Sequence, residues 1–178
     1  MIGLGAESRE LTEADAPAVA DLFVRCADYF LLQDGVMPEP ADAVALFADV
    51  PPEKAADDQV VLGWRDDRGL YAVAAVLRDY PDDGIWYLGL LLVDGTRRRL
   101  GIGRSLYEAI EAWAAARGAR HMRLAVLEAN VAGECFWRAL GFEEIRRVGP
   151  DKFKEKRHCR VELSRSTTRR FSKFTLPR

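Results

Sequence analysis

Nine consecutive residues, Ile85 to Val93 (IWYLGLLLV), carry no charge and stop abruptly at Asp94. A strand so apolar is expected at the centre of a sheet, buried on both faces. A helical pattern follows from Ile102 to Arg117, with Leu106, Ile110 and Trp113 on one stripe and Gly118 at the position after the end. A second apolar strand then runs from His121 to Leu127. Strand, helix, strand in that order is a βαβ unit, so the two strands should be parallel neighbours. Any fold proposed for the chain has to be built around that pair.

The flanking segments add to one sheet. A short strand, Arg9 to Leu11, leads into a helix opened by Thr12 with Asp15 three places on, and Val19, Leu22, Phe23 and Cys26 recur at helical spacing. A shorter helix starts near Pro40 and stops at Pro51-Pro52. Val60–Trp64 and Leu70–Leu77 read as a hairpin turned by Asp67-Arg68-Gly69. After His121–Leu127 comes a helix capped by Asn130 and closed by Gly141, then two last strands in FEEIRRVG and RHCRVELS. The expectation is an α/β fold: a mixed, mostly antiparallel sheet with the parallel pair at its centre and helices on both faces. At 178 residues this is one domain, taken as 1–164, with a basic tail at 165–178.

Charge and cysteine usage narrow the class. The first 144 residues hold 14 Lys and Arg against 25 Asp and Glu, whereas residues 145–178 hold 12 against 3. The window Thr12 to Asp58 alone has 11 acidic residues and two basic ones. Such a field biases partners. Cys26, Cys135 and Cys159 are odd in number and widely spaced, which fits neither a zinc site nor a disulfide framework. No segment reads as a signal peptide or a membrane span, so a cytoplasmic protein without membrane association or a metal is expected.

The turn after the central strand carries the chemistry. Arg97, Arg98 and Arg99 precede Gly101-Ile102-Gly103 where strand becomes helix. The free N–H groups of a helix start, with the macrodipole, make an anion site. Glycines let a ligand approach the backbone, and Arg98, Arg99 and Arg104 could bond phosphate oxygens. No Lys follows either glycine, which excludes a Walker A loop, and Leu106 stands where a dinucleotide fingerprint needs a small residue.

Arg98-Arg99-Leu100-Gly101-Ile102-Gly103 matches R/Q-x-x-G-x-G/A, with Val93 before it and Asn130, Phe136, Trp137 and Leu140-Gly141-Phe142 after it. Over residues 85–148 this resembles the GNAT superfamily of N-acetyltransferases; residues 7–84 agree in the order of elements. The resemblance implies acetyl-CoA as co-substrate, its pyrophosphate on the amides of Arg99 to Arg104. The pantetheine arm would then lie against Leu91, Leu92 and Val93 where the parallel strands splay, flanked by Asn130 and Phe136. It also implies acetyl transfer to an amine by direct attack in a ternary complex, and a homodimer.

The sequence departs from that family at the proton-transfer positions. Trp137 stands where many members have a Tyr general acid, and Gly133 where Ala is usual. No carboxylate lies on the central strand, so Glu128 and Tyr87 are the candidate proton-transfer residues, with Tyr71 and Tyr80 behind them. The acidic window, with Asp28, Asp34, Glu39 and Asp42 near the inter-helix loop, points to a cationic amine, either a small molecule or a peptide. The competing reading is a CoA-binding module without transferase activity. RRFSKFTLPR could in principle stack on bases, but it has no recognised nucleic-acid motif and reads as a solvated tail.

Overall fold

The central apolar strand acquires partners on both sides through the elements that flank it in sequence. The computed structural model describes residues 7–167. Its strands are β1 (Glu7–Glu10), β2 (Gln59–Asp66), β3 (Gly69–Leu77), β4 (Ile85–Val93), β5 (His121–Leu127), β6 (Glu143–Phe153) and β7 (Lys156–Ser166). They form one sheet in the order β1-β2-β3-β4-β5-β7-β6. Every neighbouring pair is antiparallel except β4 and β5. The seventh strand therefore inserts between the fifth and the sixth. The helices are α1 (Ala16–Arg25), α2 (Ala27–Gln33), α3 (Pro40–Ala45), α4 (Ile102–Ala116) and α5 (Val131–Ala139).

The stripe expected on α4 is buried. Leu106, Tyr107, Ile110 and Ala114 pack with Trp86 and Leu88 of β4 and Met122, Leu124 and Val126 of β5. Fully burying side chains of this size stabilises by about 1.5–3 kcal/mol each. Trp113 lies at the rim, edge-on to Trp86 with ring centroids 5.2 Å apart. On the opposite face Val19, Leu22, Phe23 and Phe30 of α1 and α2 pack with Val61, Leu70, Val73 and Leu92. The helices thus cover both faces, as the pattern required.

One expectation needs correction. The segment after Thr12 is not one helix. A 3₁₀ turn at Glu13–Asp15 precedes α1, and the chain breaks at Cys26 before α2. Cys26 is fully buried, and its Sγ lies 3.4 Å from the Val93 carbonyl oxygen, which ties the break to the end of β4. β4 is packed on both faces, Trp86 and Leu88 against α4 and Leu92 against α1 and α2, although Gly89 is exposed. Pairing with β5 covers only Ile85–Tyr87 against His121–Arg123. On the β3 side the register slips between Ala75 and Val76, leaving Gly89 as the extra residue of β4. A bulge bends the strand that carries it, and beyond Tyr87 the parallel strands part.

Candidate active site

The opening between β4 and β5 is a cleft of about 920 Å³, in the upper part of the range for small-molecule sites, roughly 300–1,000 Å³. Its floor is Tyr87–Val93 of β4 and Leu124–Leu127 of β5. One end meets the loop before α4, α5 lies along one side, and α2 and the β6–β7 hairpin form the far walls.

Asp94 sets the loop before α4. Its amide bonds the Tyr71 carbonyl at 2.9 Å. Its carboxylate accepts from Thr96 N at 3.0 Å, Thr96 Oγ1 at 2.7 Å and Arg25 Nε at 2.6 Å. Burial works against ionising this carboxylate, but Thr96 and Arg25 outweigh it and hold its pKa below the ordinary value. The three arginines that follow then diverge. Arg97 turns away to Asp66 at 2.5 Å, over the ring of Tyr71. Arg98 donates from Nε to the Val93 carbonyl at 3.1 Å and forks onto the Asp28 carboxylate. Only Arg99 has no bonded partner among the described residues; it is exposed, lines the cleft and sits at φ 65. Positive φ at a residue with a long side chain is uncommon and often marks a functional turn.

Gly101 follows at φ 80, with open space where a side chain would project. The first bond of the next turn is Ser105 N to Gly101 O at 3.1 Å. The amides of Ile102, Gly103 and Arg104 precede any intrahelical acceptor, as at any helix start. Gly103 has a packing role too, since a Cβ there would lie 3.4 Å from the Phe136 ring. Arg104, by contrast, points away toward Glu108 and the Ala139 carbonyl, and neither it nor the Ile102 side chain lines the cleft.

The helix on the cleft's flank starts at Asn130, whose Oδ1 accepts from Gly133 N at 2.9 Å. A Cβ at Gly133 would come within 2.5 Å of the Asn130 amide nitrogen, so a side chain there would have to share the space of the cap. Phe136 and Trp137 reach the cleft. Trp137 is boxed by Phe136, Phe142 and Tyr107 at centroid distances of 4.8, 5.4 and 5.6 Å, so much of its surface serves packing.

The proton-transfer candidates divide. Tyr87 lines the cleft, but burial, followed by the Glu162 charge, pushes it up to about 12, so it keeps its proton. Glu128 lies outside the cleft with its carboxylate on Arg147. Tyr71 and Tyr80 also lie outside it. Residues that sequence reasoning did not place here are Tyr29, Leu32, Gln33, Phe153 and Arg160. The one available signal was the alternation in β7: Val161 and Leu163 are core, which turns Arg160 to the other face.

Several acidic residues of the N-terminal window are engaged within the chain. Asp28 is held by Arg98, Asp42 by Lys154, and Asp34 is buried. Asp28 alone of the four named above lines the cleft. Among the described residues no group of three or more His, Cys, Asp or Glu could hold a metal, and no helix is long and apolar enough to cross a membrane. The sequence RRFSKFTLPR lies outside the described residues.

A parallel pair that parts over a helix start, with an arginine–glycine turn at its end, is the arrangement that the sequence resemblance implied. The family profile described as "Acetyltransferase (GNAT) family" matches residues 19–142. The chain belongs to the GNAT acetyltransferases. It is an N-acetyltransferase by family, and solved structures agree in fold. An acetyltransferase from Thermus thermophilus is 23% identical at a TM-score of 0.72, over 90% of this chain and 96% of that one. The ribosomal-protein-S18-alanine N-acetyltransferase of Escherichia coli is 16% identical, TM-score 0.68, over 96% and 99%. A GNAT superfamily phosphinothricin acetyltransferase from Sinorhizobium meliloti, solved with AcCoA, is 18% identical, TM-score 0.67, over 91% and 88%. A search of curated proteins returns no match.

Proposed function

We propose that this GNAT enzyme binds acetyl-CoA in the β4–β5 cleft and transfers the acetyl group to a primary amine by direct attack in a ternary complex. The observation that carries the reading is the parting of β4 from β5 beyond Tyr87, which opens onto the start of α4. The amides of Ile102, Gly103 and Arg104, with Arg99, are suited to a pyrophosphate. The edge of β4 turned toward β5 supplies Leu91 and the Val93 N–H to an extended arm; the Val93 carbonyl is already engaged by Arg98. Asn130, Phe136 and Trp137 flank the same path.

Acetyl-CoA supplies a thioester whose thiol has a pKa near ~8.5, so sulfur can leave as thiolate without a strong acid. Trp137 has no acidic proton to give, and none is required. On the acceptor side, Asp28 is the single carboxylate lining the cleft among the described residues, and it is held by Arg98. Tyr87 stays protonated and can donate a hydrogen bond. The chain then acts mainly by holding the neutral amine against the thioester, where orientation alone can contribute on the order of 7–11 kcal/mol.

Calorimetric titration with acetyl-CoA and CoA, coupled to an assay of CoA release with amines, tests this. Wild type should bind, and Gly101→Glu should not, because it places a charged side chain at φ 80 in the mouth of the cradle. No binding by folded wild type defeats the assignment of the cleft; binding with no turnover of any amine would favour a CoA-binding module.

A further inference from the structure

The charged side chains lining the cleft are Asp28, Arg98, Arg99 and Arg160. Asp28 and Arg98 neutralise each other, and Arg99 stands beside the start of α4, where the pyrophosphate would sit. Arg160 remains. It lies on β7 opposite Leu127, and the burial of Val161 and Leu163 under α4 turns it to the face that carries α1–α3. A guanidinium has five N–H donors. Nη2 of Arg160 pairs with Asp151 at 2.5 Å and Nε is buried, but the side chain as a whole is 35% exposed, so a carboxylate in the cleft would meet its outer Nη groups. Phe153 lies under the group at 5.8 Å.

This part of the cleft is also roofed. The tip of the β6–β7 hairpin clamps onto the end of α2 and the segment after it. Lys154 Nζ meets Asp42 at 2.8 Å, Glu155 N donates to the Asp34 carbonyl at 3.0 Å, and Lys156 Nζ to the Leu31 carbonyl at 2.8 Å. His158 Nε2 lies 3.1 Å from both the Leu32 and Gln33 carbonyls, so that nitrogen carries a proton. The wall made by Tyr29, Leu32 and Gln33 is thereby joined to the wall made by Phe153 and Arg160. A polypeptide lying across this end would have to break the clamp; a small molecule would not.

We propose that the acceptor is a small amine that also carries a carboxylate, seated on the Arg160 guanidinium with its nitrogen directed at the thioester. The proposal rests on the transferase reading above and narrows it. Asp151, the partner of Arg160, lies outside the cleft, so the lining itself carries three guanidinium groups against one carboxylate, which runs against the cationic acceptor that the acidic window suggested. In the reaction the amine nitrogen bonds the acetyl carbon, the C–S bond breaks, sulfur leaves as the CoA thiolate, and the nitrogen loses its proton to water. The carboxylate is unchanged.

The test is CoA release with matched amines: glycine against methylamine, L-alanine against ethylamine, L-phenylalanine against 2-phenylethylamine, and alanine tripeptide. Wild type, Arg160→Gln and Arg160→Lys are compared, each with its acetyl-CoA affinity by calorimetry. The carboxylate-bearing member of at least one pair should be favoured in kcat/KM by about 10- to 100-fold, the range for a hydrogen bond to a charged group. Arg160→Gln should erase that preference through KM with acetyl-CoA affinity unchanged, and Arg160→Lys should keep part of it. Equal turnover within every pair, a preference that survives Arg160→Gln, a loss of acetyl-CoA affinity in that variant, or tripeptide turnover matching the amino acids would each overturn the proposal. Failure to acetylate any amine while acetyl-CoA still binds defeats the transferase reading, and the proposal with it.

Discussion

Arg97, Arg98 and Arg99 are adjacent and chemically identical, yet each meets a different environment. Arg97 braces the β2–β3 turn through Asp66, Arg98 bridges α2 to the end of β4, and only Arg99 faces the cleft without a bonded partner among the described residues. Arg99→Glu is therefore expected to weaken acetyl-CoA binding by about 10- to 100-fold, since a charge-assisted bond is lost. Arg97→Gln should leave the affinity within about twofold, the level of an exposed charge pair. Titrations at low and high salt would check both. Equal losses from the two substitutions would mean that the loop works as a diffuse field and not through one side chain.

At the scale of elements, α5 depends on a cap that two residues share. Asn130 caps the helix by bonding the Gly133 amide, and the space above Gly133 is filled by the Asn130 side chain itself. Asn130→Ala should cost about 1 kcal/mol, the usual value of such a cap. Gly133→Ala should not stabilise the wild type, despite the better helix propensity of Ala, because the methyl group displaces the cap. In the Asn130→Ala background the same change should stabilise by up to ~1 kcal/mol. Urea denaturation of the four proteins gives the coupling; strict additivity would show that Gly133 and Asn130 do not share the site. The bulge at Gly89 is the other decisive element feature, because it bends β4 where the two parallel strands part.

Across the whole molecule, the acidic N-terminal window and the basic C-terminal strands face each other. Lys154 meets Asp42, Lys156 and His158 hold the carbonyls at the end of α2, and Arg98 meets Asp28. Part of the charge asymmetry is internal complementarity, which a composition count reads as a field for external partners. It also predicts a pH dependence. The Arg98 hydrogen bond lowers the pKa of Asp28. Burial opposes ionisation of Asp42, but the Glu39 amide and Lys154 outweigh it, and its pKa is lowered too. Carboxylates depressed in the folded state stabilise it fully above the unfolded value, near ~3.9, and lose that contribution as pH falls through the lower folded values. The urea midpoint should thus gain nothing from acidification and decline below about pH 4. A midpoint that climbs on acidification through that range would contradict the pairing.

The sequence alone determined the central βαβ unit, the caps at Asn130 and Gly118, the mixed sheet and the family. Each rests on local periodicity or on spacing within a short stretch, which the chain carries however it is folded. The glycine turn and most of the residues along β4 and α5 were legible for the same reason. Only the tertiary structure decided how the three arginines divide. It alone placed Glu128 on Arg147 and outside the cleft, and broke the first helix at Cys26. It also brought Arg160 and the hairpin tip over α2. Those outcomes depend on contacts between residues far apart in the chain, such as Arg98 with Asp28 or Lys154 with Asp42. Such contacts follow from strand order and register, above all from β7 inserting beside β5, and no local pattern encodes that placement.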